Sequence, residues 1–183
     1  EKYKKKLNLD LEYLPSPIDT EMFKTIPEVK KSFNQVAYVG RDSFEKGMDV
    51  LKNIESKING NVVYCINKPW DETMKILKSS TILVVPSRME SLPQVIKEAF
   101  YLKIPVIATS VGGIPELIKD NETGLLTESE NSQLLVKKIN ELLIDKSLQQ
   151  KLSSNAYNFV LSNFTWKKIL PKYIEFYENI LKN

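Results

Sequence analysis

Four short runs rich in β-branched residues, Gln35-Val-Ala-Tyr-Val39, Asn61-Val-Val-Tyr-Cys65, Thr81-Ile-Leu-Val-Val85 and Pro105-Val-Ile-Ala-Thr109, alternate with stretches of helical periodicity. Bounded by turn residues and largely apolar, the runs read as parallel strands buried on both faces. Met48, Leu51, Ile54 and Ile58 form one helical stripe, and Leu92, Val95, Ile96, Ala99 and Phe100 form a second at i, i+3, i+4, i+7 and i+8. Strand-helix alternation of this kind implies right-handed βαβ units, hence an α/β, Rossmann-like, doubly wound parallel sheet with helices on both faces. Ligands of such sheets bind at the carboxyl ends of the strands. Function is therefore expected just after Val39, Cys65, Val85 and Thr109.

Beyond Thr109 an Asn121-Glu-Thr-Gly124 turn precedes a short strand, Leu125-Leu-Thr127, and the rest reads as helical. Leu134, Leu135, Ile139, Leu142 and Leu143 make one stripe, a helix around 147–161 follows, and a last helix from about Trp166 to Leu181 carries Ile169, Tyr173, Phe176, Tyr177 and Ile180. The first 33 residues differ: Leu14-Pro-Ser-Pro17 and Ile26-Pro27 punctuate a segment without a strong period. The expected organisation is a lead-in or linker over 1–33, a globular domain over 34–163 and a C-terminal helix over 164–183. At 183 residues, 42% of them apolar, the chain suits one compact domain with a helical appendage.

Composition narrows the chemistry. There is no histidine, which removes Ser-His-Asp and Cys-His catalysis and His-based zinc sites. Chemistry must rest on carboxylates, Lys, Arg or backbone groups. The single cysteine, Cys65, allows no internal disulfide and reads as a core residue. No apolar run approaches the roughly 20 residues that span a bilayer, and no secretory leader opens the sequence, so it reads as soluble and cytoplasmic. Lys plus Arg number 26 against 23 Asp plus Glu, a balance too even to imply nucleic acid. Lys2, Lys4, Lys5 and Lys6 read as a solvated cluster, with an anionic membrane surface as the alternative. All positive charges are Lys except Arg41 and Arg88, each placed just after an expected strand.

Three strand ends carry candidate chemistry. Gly40-Arg41 follows the first strand and Glu45-Lys46-Gly47 precedes the next helix, placing two cations beside a helix N-terminus. That arrangement suits a diphosphate, although a glycine turn with two solvated cations has the same composition. Neither Gly-x-Gly-x-x-Gly nor a P-loop signature is present. After Val85, Pro93 suits the first turn of a helix with Ser91 as a cap, leaving amides near Glu90–Leu92 open to an anion. Glu90 and Glu98, separated by a rise on the order of 12 Å along a straight helix, are too far apart for a glycosidase acid/base pair at about 5–9.5 Å. They could instead accept hydrogen bonds from hydroxyl groups on either side of a bound phosphate, or be ordinary solvated glutamates. Ser110-Val-Gly-Gly-Ile-Pro-Glu116 is a third possible cradle for an anion or sugar, or a loop that simply needs glycine.

Taken in order, these elements resemble the C-terminal, donor-binding half of a GT-B glycosyltransferase of the retaining kind grouped as family 4. The resemblance runs from about Leu14 to the C-terminus: LPSPIDTEMF like the interdomain linker, Gly40-Arg41 with Lys46-Gly47, Glu90-x7-Glu98 in ESLPQVIKEA, PVIATSVGGIPELI, ETGLL, and FTWKKILPKYIEFYENIL like the closing helix that crosses back to the other domain. It implies that Arg41 and Lys46 hold the donor diphosphate and stabilise the leaving nucleotide. It further implies that Glu90 contacts the transferred sugar and Glu98 the ribose hydroxyls. Gly40, the amides of Ser91 and Leu92, and Gly112 and Gly113 would complete the donor site, and Cys65, Ile66, Asn67 and Lys68 would lie near the base. The implied donor is a UDP- or GDP-sugar, the configuration is retained, and no metal or cofactor is expected. An acceptor-binding N-terminal domain would be missing, so the fragment alone is expected to transfer nothing, and the parent enzyme could associate peripherally with a membrane. The alternative is a degenerate module that keeps the fold for binding or assembly. A phospho-receiver is disfavoured because Asp42 stands alone where an acidic pair would be needed.

Overall fold

The computed structural model describes residues 14–182, so the Lys2, Lys4, Lys5 and Lys6 cluster lies outside the described residues. Five strands, β1 (Gln35–Val39), β2 (Asn61–Cys65), β3 (Ile82–Val85), β4 (Val106–Thr109) and β5 (Leu125–Thr127), form one parallel sheet in the order β2-β1-β3-β4-β5. Before, between and after them lie α1 (Thr20–Phe23), α2 (Met48–Ile54), α3 (Trp70–Ser79), α4 (Gln94–Tyr101), α5 (Ile114–Leu117), α6 (Ser132–Ile144), α7 (Lys146–Asn163) and α8 (Trp166–Leu181). The expected strands are present, with β3 and β4 starting one residue later than the apolar runs.

Successive side chains of a strand point to opposite faces, and here that two-residue period sorts the core into two layers. Val36 and Tyr38 of β1, Ile82 and Val84 of β3, and Ile107 of β4 face Met48, Leu51 and Ile54 of α2 and Leu135, Ile139 and Leu142 of α6. Ala37, Leu83, Val85, Val106 and Ala108 face the other way, onto Met74 and Leu77 of α3, Ile96, Ala99 and Phe100 of α4, and Ala156 and Val160 of α7. Every residue of β3 and β4 is buried, which is why those sequences are continuous apolar runs rather than alternating ones.

Two helical stripes end differently from their period. Helix α2 stops at Ile54 and a single 3-10 turn, Glu55–Lys57, delivers the buried Ile58. Leu92 precedes α4, because Pro93 keeps an extended conformation (φ −64°, ψ 121°) at the N-cap position. Ser91 is accordingly not the cap; the helix has no side-chain cap.

The described part of the lead-in packs onto the domain. Asp19 caps α1 by accepting from the Glu21 amide at 3.0 Å, and Ile18, Phe23 and Ile26 are buried in the layer that holds α3, α4 and α7. The Ile18 amide donates to the Phe164 carbonyl at 2.7 Å, and Gln94 Nε2 donates to the Pro17 carbonyl at 3.1 Å. Lys97 of α4 is fully buried and donates to the Ser16 carbonyl at 2.5 Å and to Ser16 Oγ at 2.9 Å, with its ammonium over the Phe164 ring. Burial pushes this ammonium down to about 8. A lone buried charge is costly unless it is hydrogen-bonded, and Ser16 supplies those bonds.

Candidate functional site

In the order β2-β1-β3-β4-β5 the chain leaves β1 in one direction for β2 and then crosses to the other side for β3, so the topological switch lies between β1 and β3. A crevice opens outside the carboxyl ends of such a pair. Here the loops after β1 and β3 are clamped together. Gly47, at φ +65°, ends the 3-10 turn Phe44–Lys46, and a Cβ on it would stand 2.0 Å from the Pro86 carbonyl oxygen. Only glycine allows that approach. The Glu45 carbonyl then accepts from the amides of Arg88 at 2.8 Å and Met89 at 3.2 Å.

That clamp brings Lys46 Nζ to 2.5 Å from Glu90 Oε1, which also accepts from Ser87 Oγ at 3.1 Å. The Glu90 side chain is 7% exposed and that of Lys46 25%, so the pair is shielded but reachable. Behind it sits the loop after β4. Gly112, at φ +55°, and Gly113 lie so close that added Cβ atoms would stand 1.7 Å from the Glu90 carbonyl oxygen and 1.9 Å from that of Ser91. In this structure the two glycines support the Glu90–Ser91 backbone.

A cavity of about 380 Å3 opens at this end of the sheet, lined by Gly40, Arg41, Lys46, Cys65, Asn67, Lys68 and Glu98 together with Thr73, Pro93, Gln94 and Val95. Seven residues singled out from the sequence thus share one space. Glu90 reaches it through Lys46, whereas Ser91, Leu92, Ile66, Gly112 and Gly113 are not in its wall. Because α4 begins at Gln94, the backbone that its first turn presents to the cavity is that of Gln94 and Val95 rather than Ser91 and Leu92. Arg41 is exposed and makes no ion pair among the described residues; its carbonyl accepts from Tyr38 Oη at 2.8 Å.

Glu98 stands on α4 with Oε1 accepting from Trp70 Nε1 at 3.0 Å. Burial raises its carboxyl above the usual carboxylate range, while the Trp70 bond and neighbouring Lys97 pull the other way. Sequence reasoning does not single out Trp70; only its place after Lys68-Pro69, at the start of the helix that follows β2, signals it. Phe in place of Trp70 keeps the edge-on contact with Phe23, whose ring lies 5.3 Å away, and removes the bond. The Glu98 pKa should rise further. A group whose folded pKa lies above its unfolded value loses stability as pH rises between the two, so Trp70→Phe should match the parent near pH 4 and fall about 1–2 kcal/mol below it at pH 7. Denaturant melts at the two pH values check this, and an equal deficit at both would contradict it.

Arg88, the other arginine, is engaged by the protein itself. Its guanidinium forks onto Asp49 at 2.7 and 2.8 Å, donates to the Phe44 carbonyl at 2.8 Å, pairs with Glu130 and lies 4.1 Å over the Phe44 ring. These contacts raise the Arg88 pKa and hold Asp49 below its ordinary value. Arg88 braces the β3 loop against α2, leaving Arg41 as the arginine in the cavity.

Three cations, Arg41, Lys46 and Lys68, and two carboxylates, Glu90 and Glu98, gathered at the switch point of a doubly wound sheet define an α/β domain suited to an anionic, hydroxyl-bearing ligand. Residues 51–159, more than half of the chain, match the family described as glycosyl transferases group 1, and the chain belongs to that family. It is 36% identical over 113 residues to an uncharacterized glycosyltransferase of Methanocaldococcus jannaschii, an alignment covering 62% of this chain and 32% of the relative. Its fold is that of the C-terminal half of a GT-B glycosyltransferase. It is similar to the C-terminal domain of a glycosyl transferase group 1 family protein from Francisella tularensis, with TM-score 0.61, 23% identity and coverage of 82% of this chain and 95% of that one. It is also similar to Anabaena HepE in complex with UDP-glucose, with TM-score 0.73, 20% identity and coverage of 80% and 49%. The chain spans about a third of the length of the first curated relatives it matches.

Proposed function

We propose that this chain is the nucleotide-sugar-binding domain of a retaining glycosyltransferase of family 4, which moves a hexosyl group from a UDP- or GDP-sugar to an acceptor in glycan, polysaccharide or glycolipid synthesis. The observation that carries the reading is the convergence of Arg41, Lys46 and Glu98 on one cavity, with Lys46 bridged to Glu90. Arg41 and Lys46 hold the diphosphate and offset the charge that grows on the leaving nucleotide. Lysine has three N–H donors, so Lys46 can serve Glu90 and a phosphate oxygen together. Among the described residues both bonds to Glu90 fall on Oε1 and the one bond to Glu98 falls on Oε1. The Oε2 atoms are thus available to hydroxyls of the transferred sugar at Glu90 and of the ribose at Glu98.

Catalysis on this reading is positioning and charge stabilisation of an oxocarbenium-like state, without metal or cofactor. The Cys65–Lys68 segment meets the base, Gln94 and Val95 present the helix N-terminus to phosphate, and α8 crosses to an acceptor-binding domain that precedes this one in the whole enzyme. The chain alone then binds donor without transferring sugar. We place the enzyme in the cytoplasm, with peripheral membrane association of the whole protein; no described helix is long and apolar enough to cross a membrane.

Titration of the chain with UDP-glucose and GDP-mannose, followed by calorimetry, tests the site. Binding should favour one nucleotide and weaken about ten- to a hundredfold in Glu98→Ala, as expected for losing one or two hydrogen bonds to a charged group. Equal affinity in parent and variant would overturn the assignment of Glu98. Absence of binding at millimolar ligand would favour the degenerate module.

A further inference from the structure

A second cavity, of about 420 Å3, lies at the opposite end of the sheet, between the segment before β1, the start of β3, the turn after α4 and the first turns of α7. Lys31, Lys103 and Lys146 line it, and no Asp or Glu does. Among the described residues these lysines have only neutral partners. Lys31 Nζ donates to the Ser80 carbonyl at 3.2 Å, and Lys146 Nζ donates to Gln149 Oε1 at 3.3 Å beside the exposed Phe33 ring. Lys103 Nζ rests 4.5 Å over the Tyr157 ring.

Lys103 also occupies an unusual backbone position. Its amide donates to the Phe100 carbonyl at 3.1 Å and the Ile104 amide to the Ala99 carbonyl at 2.8 Å, the paired closure that ends a helix on a left-handed residue. Glycine is favoured there, yet Lys103 adopts φ +56°. A side chain in that conformation costs about 1 kcal/mol, which the turn itself does not require. Hydroxyls of Ser32, Thr81 and Ser153 share the wall, and α7 begins beside it with its first turn capped by the Asp145 carboxylate, which is not in the wall.

We propose that this cavity is a second anion site, taking a small molecule with one or two phosphate groups held by Lys31, Lys103 and Lys146. It lies across the sheet from Arg41 and Lys46, so its ligand is separate from any donor bound there. Although Lys31 is exposed as a residue, partial desolvation of its ammonium and neighbouring Lys78 push it down, and an anion would relieve that repulsion.

The test is an NMR titration of the isotopically labelled chain with inorganic pyrophosphate at constant ionic strength. Saturable shifts are expected at the amides of Ser32, Thr81, Lys103 and Gln150. Affinity there should fall roughly tenfold in Lys31→Gln and in Lys146→Gln, persist in Lys31→Arg, and be unchanged in Arg41→Ala. Both lysines are exposed, and an unaltered spectrum elsewhere shows that the variants fold. Shifts confined to residues 40–47 and 94–98, shifts that sodium chloride reproduces, or shifts that never saturate would each overturn the proposal.

Discussion

Replacing Gly112 with alanine is expected to destabilise the domain by about 2–5 kcal/mol, the sum of a left-handed alanine and an overpacked contact. For a domain of this size that is a fall in melting temperature on the order of 10 °C. The new Cβ would stand 1.7 Å from the Glu90 carbonyl oxygen, a backbone atom that cannot rotate away. One of the two loops must then move, and Glu90 is attached to one of them. Donor affinity should therefore fall in the same variant even though Gly112 is outside the cavity wall. The contrast is Gly40→Ala, whose nearest contact is the Tyr38 hydroxyl at 3.0 Å, the tip of a side chain. Thermal melts followed by circular dichroism would measure both; a shift under about 2 °C for Gly112→Ala would mean that the loops behind Glu90 are slack.

Removing the cations should separate binding from stability. Arg41→Ala deletes an exposed side chain without an ion pair among the described residues, so its melting temperature should stay within about 1–2 °C of the parent. Donor affinity should drop about ten- to a hundredfold, the range for a charge-assisted contact to phosphate. Lys46→Ala should lose both, because it also strips the cation from Glu90, whose side chain is 93% covered and would retain, among the described residues, only Ser87. A cost of about 1–3 kcal/mol is expected for that carboxylate. The double variant should bind donor about a thousandfold more weakly. Calorimetric titration beside melting curves distinguishes the cases, and a destabilised Arg41→Ala with full affinity would reverse the two roles.

Most of the sheet could be read from the chain because buried parallel strands need continuous β-branched runs, and Val106–Thr109 or Ile82–Val85 have few other uses. Register and helix ends were harder. Pro93 is compatible with either of two adjacent positions at a helix start, and the extended ψ it adopts moves the free amides from Ser91 and Leu92 to Gln94 and Val95. At the site, the charge types and their strand-end positions were legible, but their partners were not. Arg41 and Arg88 occupy equivalent places after strands, and only the fold reveals Asp49 and Glu130 waiting for Arg88. Trp70 was invisible because its bond to Glu98 joins α3 to α4, a contact that no spacing rule encodes. The glycine pair after β4 reads in the sequence as a cradle for an anion or sugar, or as a loop that needs glycine, whereas in the structure it makes room for the Glu90–Ser91 backbone.

The lead-in along Ser16–Ile18 has one further consequence, in the order in which the domain opens. The sheet grows from neighbouring βα units, but Ile18 meets Phe164 and Thr165 only after almost the whole described chain has been threaded between them. Closing so long a loop is costly in chain entropy, so these contacts are expected to form after the local βα pairings. When this splice opens, the Ile18 amide exchanges its hydrogen while the sheet amides stay protected, and Lys97 loses both oxygens of Ser16. The neighbouring residue on α4 is Glu98. Opening of this splice is therefore expected to be felt one residue from the carboxylate proposed for the donor's ribose, about 80 residues along the chain from Ser16.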